Sequence, residues 1–327
     1  MSSSTNTTDV LIVGAGISGL LCATELKQSG FSVQLLDKGR SVGGRMATRH
    51  MEGARLDHGA QFFTVREAIF QNYADQWLRA GIIKEWFRKA PYDSNPKGYP
   101  RYCGIKGIRD VPEYLARNLN VRCSEIVNTV KYENKTWQIF TQSGNTYKSR
   151  VLVITAPLPQ ALALLDTSSF DYAGKELEPL RSVRYKRGLT TLAILEGASG
   201  LQGDGFLQLE DGPVTWMADN QIKGISERPC VTIQSSAEFA DVHWDSQDNV
   251  RGPLMLETVA HHLKSPVSTY VCHRWGFALS ANSYRQLHFF NPECNLALAG
   301  DGFSGGRVEG AALSGIQAAK ELRKHPN

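Results

Sequence analysis

A glycine triplet near the N-terminus restricts the folds open to this chain more than any other feature. Residues 9–30 read DVLIVGAGISGLLCATELKQSG, with Gly14, Gly16 and Gly19 at the spacing G-x-G-x-x-G. The apolar run VLIV suits a strand buried on both faces of a parallel sheet. Gly14 permits the tight turn out of that strand. Gly16 lets the backbone approach a pyrophosphate with no Cβ in the way, and Gly19 lets the next helix pack close to the sheet. The N-terminus of that helix offers unpaired N–H groups to phosphate oxygens. Leu20, Ala23 and Leu26 give it a buried face, and Gly30 gives it a stop. Such triplets also occur in ordinary turns. Here FSVQLLDKG supplies a second strand, and Asp37 lies about 20 residues on, where an acidic side chain meets ribose hydroxyls.

At 327 residues the chain suggests about two domains of ~150 residues. A hydrophobic content of 42% is ample for sizeable cores. The net charge of +4 is too small and dispersed to argue for nucleic acid. No apolar run of about 18 residues exists, so no membrane span is expected. The start, MSSSTNTT, lacks the order of a signal peptide and reads as a short disordered tail. The six cysteines, Cys22, Cys103, Cys123, Cys230, Cys272 and Cys294, form no C-x-x-C pair, and the eight histidines show no ligand spacing. Reduced thiols, a cytoplasmic location and no metal follow as expectations.

The rest of the chain adds a second phosphate-friendly stretch, RSVGGRMATR, where Gly43 and Gly44 stand among Arg40, Arg45 and Arg49. RLDHGAQFF (55–63) reads as a strand, and the apolar spacing of Ile69, Phe70, Tyr73, Trp77 and Leu78 predicts a helix over 67–86. KAPYDSNPKGYP (89–100) reads as a loop, and IRDVPEYLARNL as a helix with Asp110 as a possible cap. A hairpin and a buried strand at 151–154 follow. Between 159 and 271, alternating strands (LTTLAIL, GFLQLEDGPVTWMADN, PCVTIQSS) and the helix RGPLMLETVAHHL predict an inserted antiparallel sheet. The stretch 295–322 returns to a buried strand and glycines, with Asp301 just past the strand end and a helix from Val308. Both ends of the chain are expected to converge on one extended ligand.

GAGISG, Asp37, RSVGGRMATR and GDGFSGGRVEGAALSG together resemble the FAD-binding motifs of the amine-oxidase-like flavoproteins. DHGAQFF, VTWMADN, TIQSSAEFADVHWD and CHRW resemble, within them, the bacterial renalase type, so the resemblance spans nearly the whole chain. It implies an α/β fold: a Rossmann-type FAD-binding domain of p-hydroxybenzoate-hydroxylase-like arrangement (1–65, 102–158 and 272–327) with an inserted mixed-sheet substrate domain (66–101 and 159–271). By the same resemblance Gly14, Gly16, Ile17 and Ser18 line the pyrophosphate, Asp37 takes the adenosine ribose with Lys38 beside it, and Arg45 reaches the phosphates. Ala60, Gln61 and Phe62 run near the flavin, and Val127 touches the adenine. Asp301, Arg307 and Val308 lie near the ribityl chain and isoalloxazine.

Two features depart from true amine oxidases. Their flavin-bridging lysine falls, by alignment, at Thr191, and their aromatic cage wall falls at Arg307 or Val308, where a cation would repel an ammonium. The implied activity is oxidation of 2- or 6-dihydro-NAD(P) with oxygen, giving NAD(P)+ and hydrogen peroxide. This chemistry needs a stacked and oriented hydride donor but no catalytic acid–base pair. Amine oxidation and an NAD(P)H-dependent flavoprotein of other substrate are the alternatives. Trp216, His243, Trp275 and Arg307 are the substrate-side candidates. His243 and His273 are open to two readings, a hydrogen bond to a carboxamide or a place in the core. Arg184, Lys186 and Arg187 are equally open, to substrate phosphates or to solvent.

No cysteine follows Cys294, so the C-terminal segment has no thiol for a covalent flavin link. Acid or heat precipitation is therefore expected to leave yellow flavin in the supernatant; flavin retained in the pellet would contradict a non-covalent cofactor.

Overall fold

The computed structural model describes residues 7–325 apart from 91, 92, 94, 169–171, 173–176 and 304. Most of the expected N-terminal tail lies outside the described residues, and Thr7 and Thr8 already belong to the first strand. The chain runs through β1 (Thr7–Val13), α1 (Ile17–Gln28), β2 (Val33–Leu36), the hairpin β3 (Thr48–Met51) and β4 (Ala54–Asp57), α2 (Ala68–Arg79), and the hairpin β5 (Ile83–Phe87) and β6 (Arg101–Gly104). Next come α3 (Asp110–Ala116), β7 (Asn120–Arg122), β8 (Val127–Glu133), β9 (Thr136–Thr141), β10 (Thr146–Ile154), α4 (Leu158–Leu165) and α5 (Leu177–Arg181). There follow β11 (Tyr185–Leu195), β12 (Phe206–Gln208), β13 (Val214–Asp219), β14 (Cys230–Ser235), α6 (Ala237–Val242), α7 (Asp248–Val259) and β15 (Val267–Ser280). The chain closes with β16 (Phe289–Asn291), β17 (Leu296–Leu298) and α8 (Val308–Leu322).

Two compact units result: one of residues up to 44, 112–184 and from 280, the other of 45–111 and 185–279. These bounds differ from those read in the sequence. Residues 45–65 fall with the second unit because Ala54 and Leu56 are buried against Leu192, Ile194 and Cys230. Residues 159–184 fall with the first, where α4 packs on β8. A boundary at 272 would cut β15, which runs unbroken from 267 to 280.

The first unit is a sheet of order β16-β17-β10-β1-β2-β7, with β9 and then β8 branching from β10. Pairings along β17-β10-β1-β2-β7 are all parallel. Its central strands are accordingly apolar throughout: Val10, Leu11, Ile12, Leu152, Val153 and Ile154 lie in the core. Helices α1 and α8 pack on each other. At their contact, a Cβ on Gly315 would stand 2.0 Å from the Ser18 carbonyl oxygen.

The second unit is a sheet of order β12-β13-β14-β11-β15 with the β3–β4 and β5–β6 hairpins. Alternation along its strands gives it two different faces. One face buries Leu189, Ala193, Met217, Val231 and Ile233 under Phe239 of α6 and Met255 and Val259 of α7. Its other face carries Thr190, Leu192, Trp216, Ala218, Thr232, Gln234 and Trp275, and residues 54–62 lie against it.

Two sequence expectations shift here. The predicted 67–86 helix ends at Arg79, because Gly81 adopts φ +66 and 83–87 then pairs as a strand with 101–104. The apolar spacing continued past the helix only because β5 also buries Ile83 and Phe87. The predicted strand over 55–63 stops at Asp57; beyond it the main-chain carbonyls serve as acceptors for side chains of the sheet.

Gly315→Ala is expected to destabilise the protein by ~1–3 kcal/mol, the usual range for overpacking. That outweighs the gain of up to about 1 kcal/mol that alanine brings to a helix interior, because the obstacle is backbone and not a movable side chain. Equilibrium unfolding checks it, and unchanged or raised stability would count against the contact.

Candidate functional site

In the first unit, the turn after β1 is held from three sides. Gly14 adopts φ +110 and its N–H donates to the Leu36 carbonyl at 2.8 Å. The Thr155 hydroxyl, at the end of β10, is shared between the Val13 and Gly14 carbonyls at 3.2 and 3.1 Å. A Cβ on Gly19 would lie 2.0 Å from the Gly14 oxygen, so only glycine lets α1 start this close to the strand. Gly43 crosses above the turn, its N–H donating to the Ala15 carbonyl at 2.9 Å and its backbone bridging to Gly16. RSVGG and GAG thus form one cradle.

The cradle fits a dinucleotide. The N-cap of α1 is Gly16, without a side-chain cap, so first-turn N–H groups remain available. A Cβ on Gly16 would meet nothing nearer than the Gly43 oxygen at 4.0 Å, which leaves open space over the turn. The buried Ser18 hydroxyl has no partner among the described residues; a phosphate oxygen would give it one. Asp37 ends β2 with Oδ2 accepting from Ala15 N–H at 2.6 Å and Oδ1 from Gly39 N–H at 2.7 Å. It therefore braces the cradle as well as facing it. Segment 124–125 runs beside 37–39 through Ser124 N–H to the Gly39 carbonyl at 2.7 Å and Glu125 N–H to the Asp37 carbonyl at 2.9 Å, which brings half-buried Val127 to this end. Lys38 is exposed and donates to Gln160 at 3.2 Å.

The C-terminal motif arrives at the same sheet edge. Strand β10 separates β1 from β17, and Gly300, just after β17, lies against Thr155. Asp301 is buried in a one-turn 3-10 helix, and its carbonyl accepts from Gly306 N–H at 3.1 Å. Exposed Arg307 is the N-cap residue of α8, and Val308 opens that helix. This is the carboxyl edge of a parallel sheet, where such folds bind ligands.

In the second unit, residues 57–62 are pinned to the sheet by their carbonyls. Thr232 and the Gln61 amide donate to the Asp57 carbonyl at 2.9 and 2.8 Å, and Thr190 and Trp275 to that of His58 at 3.1 and 2.8 Å. Gln234 donates to the Gly59 carbonyl at 2.7 Å, and Ala60 N–H to that of Arg45 at 2.9 Å. The Arg45 guanidinium reaches the Phe277 carbonyl at 3.1 Å and lies 6.0 Å from the Tyr185 ring centre. His58 stacks on Trp275, with ring centres 5.4 Å apart, and meets His273 edge-on at 4.9 Å. Burial, reinforced by His273, Arg109 and Arg49, pushes the His58 imidazole down to about 3. Burial also lowers His273. Trp216 belongs to a separate aromatic group, stacked on Phe206 at 4.9 Å and packed near Phe62 at 5.7 Å. Three buried polar atoms of these groups lack partners among the described residues: His58 Nδ1, Gln61 Oε1 and Trp216 Nε1.

The remaining sequence candidates sit elsewhere. His243 ends α6, stacks on Phe239 at 4.3 Å and faces Ser246 at 3.4 Å, so it belongs with the helices on the opposite side of the sheet from Trp216 and Trp275. Thr191 also points to that side, its hydroxyl 3.3 Å from the Met255 sulfur; the neighbouring Thr190 faces residues 57–62. Arg187 stacks over Trp244 at 4.8 Å, Arg184 reaches the Arg181 and Val183 carbonyls, and Lys186 is exposed, so the three do not converge. Sequence reading missed His58, Thr155 and a fully buried pair, Lys223 with Asp57 at 2.7 Å. His58 was visible in DHGAQFF as a histidine inside an apolar stretch. Nothing local marks Lys223 or Thr155, whose partners come from distant segments.

Residues 12–77 match the family of NAD(P)-binding Rossmann-like domains. The renalase of Mus musculus is 26% identical over 344 residues, covering 97% of this chain and 99% of that protein. The structure of cyclohexylamine oxidase from Brevibacterium oxydans IH-35A is similar with a TM-score of 0.77 at 13% identity, covering 97% of this chain and 99% of that one. A putrescine oxidase gives a TM-score of 0.73 at 15% identity, with coverages of 97% and 99%. The chain is thus similar to renalase along its whole length and has the fold of the amine-oxidase-like flavoproteins.

The His58 imidazole, ordinarily near 6.5, stays neutral in the folded protein down to about 3. Between these values the unfolded chain binds a proton that the folded chain refuses. Its stabilising contribution is therefore complete above pH 6.5 and erodes as the pH falls. His58→Asn is expected to flatten the loss of stability between pH 6.5 and 4 by up to about 1.4 kcal/mol per pH unit, measured by urea unfolding. Parallel pH profiles for the two proteins would show that His58 titrates normally.

Proposed function

We propose that this FAD-dependent oxidoreductase oxidises isomeric dihydronicotinamides, the 2- and 6-dihydro forms of NAD(P). Oxygen and a proton are consumed, and NAD(P)+ and hydrogen peroxide are formed. When bound, FAD supplies the two-electron acceptor that oxygen can regenerate. Gly14, Gly16, Ile17, Ser18 and Asp37 hold its nucleotide end with Lys38, Arg45 and Val127 around it, and Asp301, Arg307 and Val308 its ribityl end. Ala60, Gln61 and Phe62 are assigned to the flavin, and His58, Trp216, His273 and Trp275 to the substrate. Six free thiols suit a cytoplasmic setting.

The observation that carries this reading is the uncharged aromatic group around His58. An amine substrate is an ammonium at neutral pH and must lose a proton before it can be oxidised. An imidazole held near 3 is far too weak a base for that task. A dihydropyridine carries no such proton and is a hydride donor already. It needs a flat surface, which Trp275 and His58 supply, and polar groups to orient its carboxamide. On the substrate side Trp216 Nε1 offers a donor to a carboxamide's C=O. The exposed guanidinium of Arg307 is poorly suited to a cationic amine and well suited to a dinucleotide's phosphates. The full-length similarity to renalase supports the same reading.

Anaerobic mixing tests it. The 2- and 6-dihydro isomers are expected to bleach the flavin far faster than ordinary NAD(P)H or simple amines, because a site that presents the ring carbons beside the nitrogen holds the 4-position away. Equal rates for NAD(P)H and its isomers would remove the discrimination, and faster bleaching by an amine would overturn the assignment.

A further inference from the structure

Lys223 and Asp57 are both 0% exposed and their charged atoms stand 2.7 Å apart. The ammonium also donates to the Gln61 carbonyl at 2.6 Å and lies 4.4 Å from the centre of the Trp86 ring. Asp57 Oδ1 accepts from the Thr48 hydroxyl at 2.6 Å and from Ile108 N–H at 2.9 Å. Every polar atom of the pair is satisfied. A buried pair is seldom the cheapest route to stability, since apolar residues of similar volume serve as well or better. What this one does is fix main chain: Lys223 grips both ends of the stretch 57–61, at one side chain and one carbonyl. Within that stretch stand His58 Nδ1 and Gln61 Oε1, two buried polar atoms without partners among the described residues. His58 and Gln61 are only 9% and 6% exposed. Unpartnered groups so deeply buried are costly unless a ligand completes them.

We propose that Lys223 is a positioning residue. By neutralising Asp57 and holding the Gln61 carbonyl, it sets the course of residues 57–62 and thereby aims His58 and Gln61 at the bound molecules. This rests on the assignment of Ala60, Gln61 and Phe62 to the flavin. Lys223 touches no reacting atom, so its loss acts through the placement of others.

The test uses holoenzyme variants Lys223→Met, Asp57→Asn/Lys223→Met and Gln61→Ala, with FAD affinity, the visible flavin spectrum and kcat/KM as readouts. Lys223→Met strands a carboxylate in the core; where that prevents folding, the double variant, which removes both charges, decides. A misplaced site of this kind costs about 100-fold in rate. The double variant is expected to fold with a melting point near wild type, yet to show a shifted flavin spectrum, weaker FAD retention and kcat/KM lower by about that factor. Wild-type spectrum, affinity and kcat/KM in the double variant, with only the melting point changed, would reduce Lys223 to a structural role and overturn the inference. Gln61→Ala separates the two ideas. If it leaves spectrum and affinity untouched, the flavin assignment of 60–62 fails and takes the inference with it. If it perturbs both while the double variant does not, the assignment stands and the positioning role alone fails.

Discussion

Main chain packed directly on main chain is the constraint on which the nucleotide-binding unit depends. At Gly19 and Gly315 the space for a Cβ is already filled by a backbone oxygen 2.0 Å away. The first contact seats α1 against the turn of Gly14; the second seats α8 against α1. Together they bring two helix N-termini to the edge at which β1 and β17 end, on either side of β10. Thr155 then ties the arrangement together from β10, bonding to the first turn and standing beside Gly300 of the second. The cradle is therefore a product of missing side chains as much as of those present.

The second unit follows a different principle. Its sheet donates side-chain hydrogen bonds to the carbonyls of residues 57–59 from Thr190, Thr232, Gln234 and Trp275, one chain segment held across several strands. Its site-facing imidazoles are kept neutral, while its one fully buried ammonium among the described residues is neutralised by Asp57. The result is a surface rich in π-faces, with Arg49 and Arg109 acting on its imidazoles. On the reading proposed above, such a surface orients a planar ring, and the His58 imidazole, held near 3, is too weak a base to take a proton from an ammonium.

The dinucleotide half of this architecture was legible because its signals are local. Gly14, Gly16, Gly19 and Asp37 lie within one strand–helix–strand unit, and each answers to a backbone or carboxylate contact now visible in the structure. The sheet of the second unit was legible from alternation, apart from β15. The substrate side was not. Trp216 and Trp275 are on the face that carries residues 57–62, but His243, on an amphipathic stretch, turned to the opposite side. Thr191 and Thr190 differ by one position and face opposite ways, a difference that residue type alone does not reveal. The end of α2 was misread because a helix and the following strand both bury aromatic residues. Lys223 was invisible because the carboxylate that makes it a core residue lies 166 positions away in sequence.

The interleaving of the two units also bears on how the chain is made. Helix α1 is made about 280 residues before its packing partner α8. At ~5–20 residues per second, that is roughly 15–60 s of synthesis. Throughout that interval the Ser18 side of α1 lacks α8, and β10, once made, lacks β17 on one side. The second unit has all its residues by position 279, so it can close while the first is still waiting. A chain interrupted between α1 and α8 keeps the glycine fingerprint and lacks the helix that packs on it.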